Sequence, residues 1–433
     1  MRRDFWIFVL WSVLVFVVWH NALLNFFAQD DFILISHFSQ NNLWQDIKNV
    51  FGPPQATHWR PIHNLYFLVA GNIFGKNYIG YHLLTLAFHI GISFFIYKTL
   101  QKLTKNSKAA ISAAFIYAVH PAHFVSLLWI SGGATVIGFL FLITSFYYYL
   151  IDKKIVFLIL YVISLLASEA MVVGLAIFTA YEFLFKKEKI DKLFLIITGI
   201  ISAIFLIIRF VFLTSKVAID VYQLELSAKV FNAIKYYLLR IAGFAEVSGD
   251  RVISIALLGW LALIALLLIK NLKKSQDVNL LIFSVFTIIV GLFPFILIPE
   301  HLSPHYMNIS IFGFSMFLGL TLKKLKPIIS TFLLIIFLVI SIYNINLTMR
   351  SNWVVKRSNL ANTYLEKIKR EKPVSRSILI FRDNELSTSQ EAYISLGTGD
   401  AIKFFFASQN YETCFSKFDQ CLLEEPNAYV VGN

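Results

Sequence analysis

The sequence predicts an all-α polytopic membrane protein with about eleven transmembrane helices, followed by a small C-terminal α/β extracytoplasmic domain. Only 15% of the 433 residues are charged, 58% are hydrophobic, and the mean hydropathy is +0.70, whereas about a quarter of the residues in soluble domains are charged. Uncharged apolar runs of about 20 residues recur along most of the chain. This composition excludes a purely soluble fold, a disordered chain, a collagen and a disulfide scaffold.

The apolar runs define the predicted spans. In chain order they are Phe5–Leu24, Tyr78–Tyr97, Ala109–Val119, Leu127–Ile151, Ile155–Ala167, Met171–Phe185, Leu193–Leu213, Val252–Ile269, Leu280–Ile298, Tyr306–Leu322 and Ile328–Leu347. We interpret the first run as a retained helix, because no small-residue cleavage site separates it from the acidic pair that follows.

The net charge of +13 would suggest nucleic acid in a soluble protein, but here the positions of the charges matter instead. The basic residues lie in alternate loops, at Arg2 and Arg3; Lys98, Lys102, Lys105 and Lys108; Lys153 and Lys154; Lys186, Lys187, Lys189 and Lys192; Lys270, Lys273 and Lys274; and Lys323, Lys324 and Lys326. The positive-inside rule therefore places the N-terminus in the cytoplasm of a cell-membrane protein. Lysines that merely extend from helix ends would occur on both sides, and these do not.

This orientation divides the chain into two predicted domains. Residues 1–347 form the membrane domain, whose first outer loop, 25–77, is extracytoplasmic, and residues 348–433 form the outer domain. Two runs, Ala109–Val119 and Ile155–Ala167, are too short to cross about 30 Å of hydrocarbon. Their outer ends should lie below the membrane surface, where polar backbone is tolerated only beside protein or water. The sequence thus favours a cavity recessed into the outer leaflet over ordinary short, tilted spans.

The adjacent carboxylates Asp30 and Asp31 directly follow the first helix. Such a pair suits a general base, a metal ligand or a helix N-cap. Because adjacent side chains point in different directions, we expect only one of them to face the cavity, and two neighbouring carboxylates push their pKa values apart.

The first outer loop ends with Thr57-His58-Trp59-Arg60-Pro61-Ile62-His63. Arg60 could grip a phosphate or pair with Asp30 or Asp31, and His58 could contact the same ligand. The alternative is a membrane-surface anchor made of Trp and Arg.

Four further segments carry polar residues toward the predicted cavity. His120 and His123 could bind zinc, but no third ligand stands at metal-site spacing, so we expect them to line the cavity rim. Glu169 is a functional candidate because of its depth, and a helix cap is the alternative. Arg209 could meet an anionic headgroup, although extension toward water is the commoner outcome. His305 and Tyr306, in the turn from Pro299 to Tyr306, could contact a phosphate or a sugar, with a simple outer loop as the alternative.

After the last span the composition changes. Asn352–Lys372 is typical of an amphipathic helix that Pro373 ends, and Ser377–Phe381 and Ala428–Val431 indicate strands. Cys414 and Cys421 lie seven residues apart, and they can form a disulfide if the chain between them turns. Two free thiols are an equal alternative.

These motifs, in this order, resemble those of the GT-C glycosyltransferases, most closely the protein O-mannosyltransferase-like branch that includes TMTC-type enzymes. The resemblance covers roughly residues 1–350 and rests on the acidic pair Asp30-Asp31; Trp59-Arg60-Pro61-Ile62 with Gly80-Tyr81-His82-Leu83; His120-Pro121-Ala122-His123 with Trp129-Ile130-Ser131-Gly132; Ser168-Glu169; and Glu300–Tyr306. The chain departs from the family pattern at Val125, Gly133 and Ser168, where that pattern has an acid, an arginine and a lysine.

The resemblance implies a GT-C-like fold and inverting transfer of a sugar, mannose being one candidate, from a polyprenyl-phosphate donor to a protein, glycan or lipid acceptor at the outer face. Asp30 would be the base, Arg60 would hold the phosphate or orient Asp30, and Glu169 and His123 would line the cavity. The implied partners also include membrane lipid but no nucleic acid, and no cofactor is required, although a divalent metal stays open. The alternatives are a transporter or flippase for lipid-linked sugars and a catalytically inactive relative.

Overall fold

The computed structural model describes residues 2–39, 42–53, 58–213, 222–246, 251–272, 277–422 and 426–431. Within these ranges, six helices are long and apolar enough to cross a membrane: Asp4–Leu24, Tyr78–Thr104, Ser131–Leu150, Lys192–Phe212, Val278–Ile296 and Pro327–Met349. Ser107–Val119 and Pro121–Leu128, bent by 46°, form a seventh if they are one span. Several apolar helices thus support a multi-pass membrane protein.

The helices of the membrane part, in chain order, are α1 Arg2–Trp19, α2 Asp30–Ser39, α3 Leu43–Phe51, α4 Pro61–Phe74, α5 Tyr78–Thr104, α6 Ser107–Val119, α7 Phe124–Leu128, α8 Ala134–Leu150, α9 Lys154–Ala167, α10 Gly174–Tyr181, α11 Lys192–Ile207, α12 Lys229–Ile241, α13 Arg251–Leu272, α14 Val278–Ile296, α15 Asn308–Leu322 and α16 Pro327–Met349. Short 3-10 or π turns extend several of them. Lys273 and Lys274, which belong to a predicted cytoplasmic loop, lie outside the described residues, as does Thr57.

The predicted span Leu127–Ile151 is wrong at its start. The helix α7 ends at Leu128, a 3-10 turn covers Ser131–Gly133, and α8 begins only at Ala134. The break has a physical cause, because a carboxylate oxygen of Asp31 accepts hydrogen bonds from the backbone N–H and the hydroxyl of Ser131. A hydropathy profile cannot predict this contact, because the two residues that form it are 100 positions apart in the sequence.

The first outer loop contains three helices that the sequence analysis treated as one segment. Asn42 caps α3 by accepting a hydrogen bond from the backbone N–H of Gln45 at 3.0 Å. Pro61 occupies the first position of α4, where its missing N–H has no helical partner to lose. The helix α4 packs against α2 and α3, so that the acidic pair at the start of α2 and the arginine before α4 lie on one side of the membrane part.

The C-terminal part forms a small α/β unit, which we call the outer domain. It contains α17 Trp353–Glu371, β1 Ile378–Phe381, α18 Ser389–Ser395, α19 Asp400–Phe405, β2 Glu412–Phe415 and β3 Ala428–Val431. The predicted helix and both predicted strands are confirmed within one residue. The three strands form a parallel sheet in the order β2-β1-β3, and β2 was not predicted.

Cys414 and Cys421 form a disulfide, which the sequence analysis had left open. Their Cα atoms lie 5.8 Å apart, because the chain turns after β2 instead of continuing in a regular structure. The bridge therefore closes the turn that follows a strand of the outer domain.

The outer domain shares an apolar core with the first outer loop. This core joins Phe32 of α2 and Phe67 of α4 to Tyr364, Phe381 and Phe404 of the outer domain. A separate and larger core runs through the membrane helices. The residues at the start of α2 are thus fixed from two sides, by the membrane helices and by the outer domain.

Candidate functional site

A cavity of about 350 Å³ opens where α2, the segment before α4, the turn before α8 and the turn before α15 meet. Its lining combines titratable and aromatic side chains, among them Asp30, His58, Arg60, His63, Trp129, Ser131, Tyr222, His301, His305 and Tyr306. A second cavity of about 450 Å³ shares Ile33, Leu34, His58 and Asn64 with the first and continues to Asp400 and Lys403 of the outer domain.

Asp30 is the first residue of α2, and its carboxylate faces this cavity. Its side chain is exposed to the cavity space, and no hydrogen bond or ion pair joins it to another residue that the structure describes. Enclosure by protein raises the pKa of Asp30 above its usual value, and the positive charges of Arg357 and Arg60 oppose that rise. The site therefore offers a carboxylate that is available to accept a proton.

Asp31 has a different environment. Only 1% of this residue is exposed, and its two oxygens accept hydrogen bonds from the Ser131 N–H at 2.8 Å, the Ser131 hydroxyl at 2.6 Å and the Ala28 N–H at 3.0 Å. Burial raises the pKa of Asp31 to about 7 despite these donors. Asp31 thus holds the turn before α8 against the start of α2, with no free face toward the cavity.

Arg60 pairs with Glu169 and with neither acidic residue of α2. Its Nε donates to Glu169 Oε2 at 2.8 Å and its Nη2 donates to Oε1 at 2.7 Å. Burial alone would raise the pKa of Glu169, but the charge and hydrogen bonds of Arg60 hold it well below its usual range. Glu169 is therefore ionised, and the bidentate pair orients the guanidinium at the cavity wall.

His58 lies beside this pair, with Nε2 3.8 Å from Glu169 Oε1. Burial, followed by the charge of Arg60, lowers the pKa of His58 to about 3, and the same two causes lower the pKa of His63 to about 3. Both rings are thus neutral near pH 7. They can donate or accept one hydrogen bond per nitrogen without adding charge.

The structure contradicts the expectation that the side chain of Arg209 extends toward water. It lies in the π-helical turn Ile208–Phe212 that follows α11, is only 5% exposed, and donates to the Leu213 carbonyl at 3.4 Å. Its charge acts on Glu169, Arg60 and His58. The guanidinium of Arg209 therefore lies near the pair of Arg60 and Glu169, beside this wall of the cavity.

His120 and His123 do not line the cavity, contrary to the prediction. His120 donates from Nε2 to the Ile241 carbonyl at 2.9 Å, because its Nδ1 accepts the Ala122 N–H at 3.3 Å. His123 packs against Tyr117 and His89, with ring centroids 4.5 and 4.7 Å away. Both histidines are buried in the helix bundle, where they fix the bend between α6 and α7.

The turn before α15 does bring its predicted residues to the cavity. His305 Nδ1 is 2.6 Å from the Ser303 hydroxyl, and burial lowers the pKa of His305 well below its usual value. The Tyr306 ring stacks on Phe295, with centroids 4.2 Å apart. These contacts fix both side chains at the cavity.

Several cavity residues were not assigned from the sequence. Tyr222 lies between His301 and His58, with ring centroids 4.5 and 5.2 Å away, and no local motif marks it. Trp129 and Ser131 belong to the Trp129–Gly132 motif of the family resemblance, so their place at the cavity could have been inferred from that motif.

Among the described residues, no group of three or more His, Cys, Asp or Glu side chains is placed to hold a metal.

Comparisons with solved structures identify the fold. The chain aligns with ArnT from Cupriavidus metallidurans, solved bound to undecaprenyl phosphate, with a TM-score of 0.56 and 10% identity over 95% of this chain and 90% of that one. It aligns with the arabinofuranosyltransferase AftD from Mycobacteria with a TM-score of 0.53 and 9% identity, over 96% of this chain but only 32% of AftD. No family model and no curated protein sequence matches the chain. The chain is therefore a multi-pass membrane protein that shares its fold with ArnT and with the aligned part of AftD.

Proposed function

We propose that the protein is a membrane glycosyltransferase that moves a sugar from a polyprenyl-phosphate donor to a hydroxyl group of an acceptor. The observation that carries this proposal is the carboxylate of Asp30, which has no hydrogen-bond or ion-pair partner among the described residues and lines the same cavity as Arg60. Arg209 lies close enough for its charge to act on Arg60. A carboxylate that can accept a proton and a guanidinium that can face a phosphate in one cavity match what the transfer requires. The shared fold with ArnT, which was solved with undecaprenyl phosphate, supports a polyprenyl-phosphate donor.

The proposed reaction inverts the anomeric carbon in a single displacement. Asp30 takes the proton of the acceptor hydroxyl while the hydroxyl oxygen attacks the anomeric carbon from the side opposite the lipid phosphate. The bond between that carbon and the phosphate oxygen breaks, and the polyprenyl phosphate leaves as an anion. The guanidinium of Arg60 at the cavity wall stabilises the negative charge that develops on the phosphate.

The sequence motifs support a more specific assignment to the protein O-mannosyltransferase-like branch, with a hexose such as mannose as the sugar. The acceptor would be a protein, glycan or lipid that reaches the cavity from the outer side. The second cavity, which continues from the first to Asp400 and Lys403, is a suitable path for that acceptor.

We propose the orientation that the lysine loops predict: eleven spans, the N-terminus in the cytoplasm, and residues 348–433 outside as a separate unit after the membrane domain 1–347. The disulfide of the outer domain supports this orientation, because disulfides persist in oxidising compartments and are rare in the cytosol.

The catalytic proposal is tested by replacing Asp30 with Asn, which keeps the shape of the side chain and removes its basicity. Transfer from a panel of polyprenyl-phosphate sugars should fall by about 10² to 10⁴, while binding of undecaprenyl phosphate should persist. Asp152→Asn is the matched control, because Asp152 is exposed in a turn after α8 with φ of 61°, a conformation that Asn tolerates.

Full turnover by Asp30→Asn would contradict the proposed role of Asp30, and Glu169 would become the next candidate. If the wild-type protein moves a lipid-linked sugar across vesicle membranes without transferring it, the protein is a transporter. If it binds the donor lipid without turnover or transport, it is an inactive relative.

A further inference from the structure

The turn before Asp30 is held by the outer domain. Gln29 has φ of 53°, a left-handed conformation that is uncommon for residues with a side chain. Its backbone N–H donates to the Ser395 carbonyl at 3.1 Å. Gly397 packs so closely that a Cβ at that position would lie 2.6 Å from the Gln29 carbonyl oxygen. The direction in which α2 begins therefore depends on contacts with residues more than 360 positions later in the chain.

Arg357 of α17 adds a side-chain contact to the same turn. Its Nη1 donates to Gln29 Oε1 at 3.0 Å, and its Nε and Nη2 donate to the two oxygens of Glu391, each at 3.0 Å. The guanidinium also lies over Trp353, 5.5 Å from the ring centroid. All three nitrogens are engaged, so the position of this charge is fixed.

The same charge acts on Asp30. Enclosure raises the pKa of Asp30, and Arg357 is the first of the two groups that lower it, with Arg60 the second. Arg60 is already in a bidentate pair with Glu169, and Arg357 with Glu391. The other titratable groups around Asp30 are Asp31 on the same helix, His58 before α4, and Tyr222, His301, His305 and Tyr306 across the cavity.

We propose that Arg357 is a positioning residue for Asp30: it fixes the Gln29 turn, which directs the carboxylate into the cavity, and its positive charge favours the ionised form of that carboxylate. The proposal rests on the proposed function of Asp30 as the base. It makes the outer domain a working part of the site, since α17 and α18 supply Arg357 and its partner Glu391. Arg357 itself need not touch the donor or the acceptor.

The test measures the protonation of Asp30 directly in the full-length protein in detergent. A water-soluble carbodiimide with glycine ethyl ester labels carboxyl groups, and peptide mass spectrometry follows Asp30 labelling against pH, with the exposed Glu366 as internal reference. Arg357→Gln should move the midpoint for Asp30 to higher pH, because the positive charge of Arg357 lowers the pKa of that carboxyl group. Arg370→Gln, on the exposed face of the same helix, should leave it unchanged.

A second variant separates charge from geometry. Arg357→Lys keeps the charge but cannot bridge Gln29 and Glu391, so it should keep a midpoint near that of wild type and show a lower kcat for sugar transfer with little change in KM. Limited proteolysis, with the wild-type fragment pattern as the reference, verifies that the outer domain is folded in each variant. An unchanged Asp30 midpoint in folded Arg357→Gln, or wild-type kcat in Arg357→Lys, overturns the proposal. If the midpoint shifts but no variant, wild type included, transfers any sugar, the proposed function fails while the coupling between Arg357 and Asp30 stands.

Discussion

The two adjacent carboxylates of α2 have different environments because the first turn of a helix separates their directions. Asp30 faces the cavity, and Asp31 accepts three hydrogen bonds within the protein. The sequence analysis expected one of the pair to face the cavity and could not decide which from the residues alone. The catalytic role of Asp30 remains a prediction.

At the same scale, variants of Arg60 and Glu169 should show which of the two residues donor binding depends on and how much their ion pair stabilises the fold. Glu169→Gln keeps the shape of the acid and releases the guanidinium, so binding of undecaprenyl phosphate to the purified protein should be retained or strengthened. Arg60→Ala should weaken that binding and lower the free energy of unfolding by about 1–3 kcal/mol, because Glu169 keeps a partly buried charge without its partner. Equal lipid binding by wild type and Arg60→Ala would show that Arg60 does not hold the phosphate.

The same pair predicts a dependence of stability on pH. The pKa of Glu169 is lowered in the folded protein from 4.5, its ordinary value. Its stabilising contribution is therefore present above about pH 4.5 and is lost as the pH falls through the folded value. Thermal unfolding of wild type should lose stability over that acidic range, and the double variant Arg60→Ala/Glu169→Gln should lose less. Parallel curves for the two proteins would argue against the linkage.

At the scale of single elements, β2 and the turn after it are among the parts of the outer domain that the sequence did not reveal, together with α18 and α19. The disulfide closes this turn, and a bridge over so short a loop stabilises a fold by about 2–3 kcal/mol in the chain-entropy model. Cys414→Ser should therefore lower the melting temperature of the outer domain. Thr413, beside Cys414, touches Gly399, so the loosening should reach the segment that contacts Gln29.

The disulfide itself is checked by alkylation of the unreduced, denatured protein. We expect no mass increase, and two alkyl groups after reduction. Two labelled cysteines before reduction would show that the bridge does not form in the cell.

At the scale of the whole molecule, the prediction is the orientation in the membrane. The lysine loops and the disulfide both favour a cytoplasmic N-terminus and an extracytoplasmic C-terminus. Reporter fusions after Lys105 and at the C-terminus should therefore report opposite compartments. The same compartment for both fusions would overturn the orientation and, with it, the outer location of the cavity.

Much of the architecture follows from local sequence. Long apolar runs predict membrane helices because lipid requires backbone groups to be satisfied within a segment. The bounds of α14 and α16 agree with the runs within two residues, and α5 begins where its run begins but continues to Thr104. The amphipathic helix α17 and the strands β1 and β3 also follow from local periodicity and from Pro373. The amphipathic α12 was missed because it lies in an outer segment that hydropathy does not resolve.

The composition of the cavity depended on contacts between distant parts of the chain. The sequence identified Asp30, Arg60, Glu169 and the turn before α15, because charged and polar residues at membrane depth are expensive and therefore stand out. It could not pair Arg60 with Glu169 across 109 positions, nor show that His120 and His123 point into the bundle, because depth along a helix does not determine which face a residue occupies.

The sequence by itself thus determined the membrane class of the chain, most of its helices and the residues that could do chemistry, because these depend on hydrophobicity and local periodicity. Only the tertiary structure decided which of those residues meet. It assigned Asp30 to the cavity and Asp31 to a structural role, and it brought Arg357 to the turn at Gln29. The physical reason is that hydrogen bonds and ion pairs are specified by three-dimensional proximity, which a single sequence does not encode locally.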